Sequence, residues 1–482
     1  MEESQAICLG RSSVGPSFLL PAMANRHGLI AGATGSGKTV TLQLLAEAFS
    51  RLGVPVVTAD VKGDLAGLAV AGERNPKIDA RLAQIGLEEF TPTGCPVLLW
   101  DVFGTGGHQL RTTVSELGPQ LLARLLKLND SQQGMLQTAF AIADDEGLLL
   151  LDLKDLRALL TWMDQHASEL TPRYGAIPKN TLGAIQRRLL NLNEVGGETF
   201  FGEPALRLEH ILQRDFSGQG VISILDARRL LQEPTLYATF LLWLLSELFE
   251  QLEEVGDTAL PKLVFFFDEA HLLFDDAPTE LKDKIEQVVR LVRSKGVGVF
   301  FVTQNPLDIP NDVAAQLGNR IQHGLRAFTP KEQKTIKAVG ETFRENPALN
   351  PAEVVLELKV GEALVSCLDE QGRPEVVQKV LIAPPRSRIG PLSDSEREEI
   401  IRRSPLATVY TSSVDRESAY ELLEQRAKEV KSVEDEKPAS GSSSRRQSAG
   451  EAFFKSLLRS VGSQIGRQIA RGLLGSLTRG QR

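Results

Sequence analysis

Cysteine is scarce. Three residues, Cys8, Cys95 and Cys367, are scattered through 482 positions, with no metal-ligand spacing and no even set to pair. A disulfide scaffold and a zinc module are excluded, and a reducing, cytoplasmic compartment is expected. The opening Met-Glu-Glu-Ser-Gln is acidic and lacks an apolar core, so no secretory signal is expected. Long apolar runs are missing too. The richest, near Phe240 to Phe249, is short and ends in acids, which reads as a buried helix. Basic residues are outnumbered, 54 Lys and Arg against 62 Asp and Glu, for a net charge of −8. That excludes a uniformly basic surface, so any nucleic-acid contact needs a local patch or channel. What is left, 42% hydrophobic and 24% charged, is a globular composition. The length predicts two or three folded units.

Against this background one stretch stands out, Gly32-Ala33-Thr34-Gly35-Ser36-Gly37-Lys38-Thr39. It follows the apolar run Leu29-Ile30-Ala31 and precedes a helical pattern through Val40, Leu44, Leu45, Ala48, Phe49 and Leu52. Strand, glycine loop and helix together form the context of a phosphate-binding loop. The glycines bring backbone N–H groups up to phosphate oxygens, and the helix adds its positive end. Lys38 is placed to reach the outer phosphates, and the Thr39 hydroxyl to ligate Mg²⁺. A glycine-rich turn carrying an ordinary surface lysine is the plainer alternative.

Further strands are predicted at residues 54–59, 96–101, 220–225, 262–267 and 297–303, alternating with helices. Several end in acids. Lys262-Leu263-Val264-Phe265-Phe266-Phe267-Asp268-Glu269 reads as a doubly buried strand with two carboxylates at its exit. In a phosphate-loop site Asp268 holds the hydrated Mg²⁺ and Glu269 polarises the attacking water. The alternative is a pair of helix-capping acids. Gln304, ending the strand before Asn305-Pro306, is a candidate to orient water or sense the terminal phosphate, or else a turn residue. Asp60 and Asp64 either touch the nucleotide network or cap the next helix. Residues 7–27 read as an irregular lead-in, and residues 354–358, 362–368 and 376–382 as closing strands.

Strand signals vanish between about 115 and 212. The expected organisation is a first part of the core over 1–104, a helical insertion over 105–215 and a second part of the core over 216–390. A helical C-terminal extension (391–431), a disordered linker (432–450) and a basic amphipathic tail (451–482) follow. Phe454, Leu457, Leu458, Val461, Ile465 and Ile469 share one helical face of that tail, with Lys455, Arg459, Arg467 and Arg471 off it. Such a helix suits a protein groove or, more weakly, an anionic membrane, but Gly462, Gly466, Gly472, Gly475 and Gly480 weaken it, and a disordered tail is the equal alternative.

The succession Gly-Ala-Thr-Gly-Ser-Gly-Lys-Thr, Asp-Val-Lys-Gly-Asp, Phe-Phe-Phe-Asp-Glu-Ala-His, Arg-Ser-Lys-Gly-Val-Gly-Val-Phe-Phe-Val-Thr-Gln-Asn-Pro and Asn-Arg-Ile resembles the HerA/FtsK superfamily of ring-forming P-loop ATPases. It is most similar to the short bacterial HerA-like helicase-domain proteins, over roughly residues 10–390. The resemblance implies an α/β fold, a RecA-like P-loop NTPase sheet core with a large helical insertion and a flexible C-terminal tail. It also implies ATP and Mg²⁺ as cofactors, self-association into a ring, commonly a hexamer, and DNA as the partner along which the ring translocates. By the same resemblance Lys38 and Thr39 bind phosphate and metal, Glu269 is the catalytic base and Gln304 the sensor. Arg320 matches the arginine supplied to a neighbouring subunit's site, and one core per chain leaves no such arginine in cis; pairing with a surface carboxylate is its alternative. The β-barrel of archaeal HerA and the membrane and DNA-reading domains of FtsK are not expected here. Asp-Glu-Ala-His at 268–271 invites comparison with DEAH-box RNA helicases, but their second core and arginine-rich final motif are not found. A reading of another class is a nucleotide-gated interaction protein, whose slow ATPase switches protein or membrane partners of the helical insertion or tail.

Overall fold

The computed structural model describes residues 6–435, apart from residues 88, 276–278, 327–328 and 415. The expected tail (451–482) and most of the expected linker lie outside the described residues. Residues 432–435, placed in the linker from composition, continue the helix Ala419–Asp435.

Two compact units are present, Met1–Leu110 with Leu206–Ser412, and Arg111–Ala205 with Ser413–Arg482. Residues 105–110 and 206–215 therefore go with the first unit, and residues 391–412 do too. The expected C-terminal extension is thus divided between the units.

The first unit is built on a sheet whose twelve described strands are β1 (Ile7–Ser12), β2 (Gly15–Leu19), β3 (Gly28–Ala31), β4 (Val56–Asp60), β5 (Val97–Asp101), β6 (His108–Gln109), β7 (Ile222–Asp226), β8 (Leu263–Phe267), β9 (Val297–Thr303), β10 (Asn319–His323), β11 (Glu362–Ser366) and β12 (Gln378–Ile382). Their order is β2-β1-β12-β11-β10-β3-β9-β8-β4-β7-β5-β6. From β10 to β6 every pairing is parallel, and from β2 to β10 every pairing is antiparallel. Parallel strands need crossovers, and helices provide them: Lys38–Arg51 between β3 and β4, Pro234–Gln251 between β7 and β8, and Thr279–Val292 between β8 and β9. Covered on both faces, β8 and β9 are buried along their whole lengths, which is why their sequences are unbroken apolar runs.

The antiparallel flank departs from the sequence reading in two places. Residues 7–27 are not a loose lead-in: β1 and β2 form a hairpin that β12 joins to the rest of the sheet. Their alternation is interrupted by glycine and proline and by a register shift between Cys8 and Gly10, which masks the strand signal. Residues 354–358 are not a strand either, because the helix Pro351–Glu357 includes Val354 and Val355. Asn350 caps it through Ala352 N–H and Pro351 opens it, and these start signals outweigh the β-branched pair.

The second unit is helical, with helices at Val114–Leu125, Asp130–Glu146, Leu153–Gln165, Ala167–Tyr174 and Lys179–Leu192. Reciprocal caps at Thr113/Glu116, Asn129/Gln132 and Asp152/Asp155 set three of the starts. The helix Ala419–Asp435 is anchored here by Asp155, whose carboxylate accepts from Ser418 Oγ at 2.5 Å and Tyr420 N at 2.9 Å. Among the described residues no helix is long and apolar enough to cross a membrane.

Candidate active site

The loop between β3 and the helix Lys38–Arg51 closes tightly on itself. Gly37, the residue before the helix, sits at φ 114, a left-handed conformation that favours glycine. Gly32 has no room for a side chain, since a Cβ there would lie 2.6 Å from His323 Cβ. His323, at the end of β10, bridges three elements: Nε2 is 2.8 Å from Thr41 Oγ1 and Nδ1 is 3.1 Å from the Glu362 carbonyl. Burial pushes its pKa down to about 4, so it stands neutral behind the loop. Lys38 is buried and folded back, donating from Nζ to the Gly32 and Ala33 carbonyls at 2.6 and 3.1 Å.

The carboxylates arrive on β8. Asp268 and Glu269 are each 5% exposed at its C-terminal end, beside the phosphate loop as parallel strand ends must be. Asp268 accepts its neighbour's backbone N–H at 3.0 Å, and burial, reinforced by the Glu269 charge, pushes its pKa up to about 7. Glu269 has left-handed backbone (φ 48, ψ 50), uncommon for a residue with a side chain. Its carboxylate meets Lys62 Nζ at 3.0 Å and His271 Nδ1 at 3.4 Å. Gln304, beyond β9, closes the circuit: its Nε2 donates to both Glu269 oxygens at 3.3 Å, and its Oε1 accepts from Thr34 Oγ1 at 3.2 Å. A hydrogen-bonded chain thus runs from the phosphate loop to the second acid of β8.

Lys38, Asp268, Glu269 and Gln304 are therefore brought together, with half-buried Thr39 at the start of the helix. Arg320 is not among them. It leaves the N-terminal end of β10 half-buried, donates to the Ala314 carbonyl at 3.0 Å and lines a pocket of about 70 Å³ with Leu29, Leu307 and Phe343. Asp60 caps backbone: its carboxylate accepts from Gly63, Leu65 and Asp64 N–H groups at 2.7, 3.1 and 3.1 Å. Burial, with the Asp64 charge, still raises its pKa to about 6. Lys62, on the loop that Asp60 shapes, and His323 are the two site residues that motif reading passed over. The available signal was position, since both lie at or just beyond the C-terminal ends of parallel strands.

The donor set suits a magnesium nucleotide better than a bare metal. Among the described residues no three His, Cys, Asp or Glu side chains converge as a metal cage. Mg²⁺ typically takes one or two protein oxygens and completes its shell with phosphate and water, for which Thr39 and Asp268 suffice.

No curated protein matches the chain. Among solved structures, the plasmid coupling protein TrwB in complex with the GTP analogue GDPNP superposes with a TM-score of 0.53 at 14% identity, covering 81% of this chain and 93% of that one. TrwB with ADP and Mg²⁺ gives 0.52 at 15% identity with the same coverage. VirB4 of Thermoanaerobacter pseudethanolicus gives 0.51 at 14% identity, over 79% of this chain and 97% of that one. At such identities the likeness shows a shared fold. The family profile described as helicase HerA-like C-terminal matches residues 8–482, and the chain belongs to that family of P-loop ATPases.

Proposed function

We propose that the protein hydrolyses ATP with Mg²⁺ and uses the cycle to translocate along DNA as a ring of identical subunits. The observation that carries the catalytic part is the chain Thr34–Gln304–Glu269, which links the phosphate loop to a buried carboxylate. In this reading Lys38 and the N–H groups of residues 32–39 hold the phosphates, and Thr39 and Asp268 hold Mg²⁺, which neutralises developing phosphate charge. Glu269 accepts the proton of the attacking water, and Gln304 aims that water and registers the terminal phosphate. Arg320, held away from its own loop by Ala314, acts on a neighbouring subunit. TrwB, whose fold this chain shares, is seen with ADP and Mg²⁺. The DNA assignment rests on the helicase-like family, and three unpaired thiols agree with a reducing cytoplasm.

The test is the steady-state ATPase rate with and without DNA, read beside mass photometry with ATP and DNA. A translocase accelerates several-fold on DNA and assembles into one ring size. The acidic net charge of −8 keeps a nucleotide-gated switch as the second reading. Indifference to DNA, with turnover intact, decides for the switch.

A further inference from the structure

Two ammonium groups point into the same site, and each rests on the protein's own oxygens. Lys38 Nζ is on the Gly32 and Ala33 carbonyls. Lys62 Nζ is 3.0 Å from Glu269 Oε1. They are near enough to feel each other: burial depresses the Lys38 ammonium most, and the charge on Lys62 depresses it further. Two like charges beside a loop of backbone N–H groups mark the place of a multiply charged anion.

The approach of Lys62 is built into the fold. Asp60 ties down the backbone of Gly63, Asp64 and Leu65, and Gly63 turns at φ +82, so the loop holds its shape. The Lys62 side chain, 40% exposed, remains able to swing. Glu269 is engaged on every side. Its Oε1 meets Lys62 and Gln304, and its Oε2 meets Gln304 and His271. A carboxylate oxygen has about two lone-pair sites, and Lys62 and Gln304 fill both of those on Oε1, so a water can meet that oxygen only when one of them leaves. Lys62 is the donor best suited to leave, being the most flexible and the one a phosphate attracts most strongly.

We propose that Lys62 is a positioning residue that keeps Glu269 engaged until the terminal phosphate of a nucleoside triphosphate draws its ammonium away. The release opens one acceptor site on Oε1 of the base at the moment its substrate is complete. A diphosphate lacks the competing group and leaves the pair closed. The inference rests on reading Glu269 as the base, and its test separates the two.

The full chain is titrated with fluorescent ADP and with a fluorescent non-hydrolysable ATP analogue, each with Mg²⁺. Lys62→Met keeps the stem and loses the charge. It should leave ADP affinity unchanged and weaken the triphosphate analogue about tenfold, the size of a charged hydrogen bond. Lys62→Arg should restore most of that loss. Glu269→Gln should tighten the triphosphate analogue several-fold because Lys62 no longer has a carboxylate to leave, and Lys62→Met in the same chain should abolish the gain. Equal losses for both nucleotides, no loss for either, or tightening that survives in the double variant overturns the proposal. Unchanged ADP affinity also shows that each variant is folded. Near wild-type hydrolysis by Glu269→Gln instead removes the general-base reading, while the binding ratio still decides whether Lys62 answers to the terminal phosphate.

Discussion

The two halves of the sheet differ in what they can do. Strands β3, β9, β8 and β4 are parallel, fully buried and end together, so their exits form one edge where Lys38, Gln304, Glu269 and Lys62 meet. The flank of β2, β1, β12 and β11 runs antiparallel, half-exposed in all but β11, so its strand ends point alternately to opposite edges. Chemistry collects where directions agree. β10 is the seam between them, parallel to β3 on one side and antiparallel to β11 on the other, and it carries Arg320 and His323.

The sharpest way to break this contrast is at the seam. If Arg320 serves a neighbour, Arg320→Ala should lower turnover by about 10³ or more, in the range measured for arginine fingers. Nucleotide binding should survive, and mixing with inactive Lys38→Ala subunits should restore part of the activity once subunit exchange is shown. Full activity of Arg320→Ala alone, or no rescue at any ratio, removes the trans role. On the parallel edge, Glu269→Gln should reduce turnover by about 10² while ATP still binds, as expected for loss of a general base. Rapid-quench hydrolysis beside a binding titration measures both.

Stability gives the same contrast on a smaller scale. Phe300, 1% exposed in β9, packs on Phe266 and Phe49 with ring centroids 5.3 and 6.3 Å away. Phe300→Ala should cost about 3–5 kcal/mol in denaturant unfolding. Phe18→Ser on β2, where the side chain is 38% exposed, should change it by less than about 1 kcal/mol. Similar losses at both sites would mean that the flank is as tightly packed as the centre.

The remaining prediction concerns pH. His323 has its folded pKa pushed to about 4, below the ordinary 6.5, by burial. The unfolded chain then takes up this proton first, so stability is full above about 6.5 and declines as pH falls toward 4, by roughly 3 kcal/mol at the limit. His323→Gln should flatten that acid limb in melts run from pH 7 to 4. An unchanged limb assigns it to other groups.

The parallel half was legible from the sequence because each device there has a short-range signature. Five apolar residues from Leu263 to Phe267 followed by two acids are visible without any partner, as is a glycine loop between strand and helix. In the flank β11 and β12 were legible as closing strands, but the outer hairpin was not, because β1 and β2 are short, bulged and interrupted, and their strand character comes from pairing with β12 far along the chain. Lys62 was visible as a residue but not as a contact. Its meeting with Glu269 depends on β4 and β8 being neighbours, a fact of strand order that spacing does not encode. Val354 and Val355 misled in the opposite sense, since strand propensity yields to Asn350 and Pro351 at a helix start.

The strand order also has a consequence for synthesis. The strand that carries the phosphate loop leaves the ribosome well before its neighbours, since Gly28 pairs with Phe300 on one side and Asn319 on the other. At about 5–20 residues per second the loop waits some tens of seconds for the neighbours that give it shape. His323, which backs Gly32, arrives later still. A nascent chain halted before β9 carries every residue of the glycine motif but neither the strand beside it nor the histidine behind it. The shape of the phosphate loop is therefore completed only once the chain has been translated past β10.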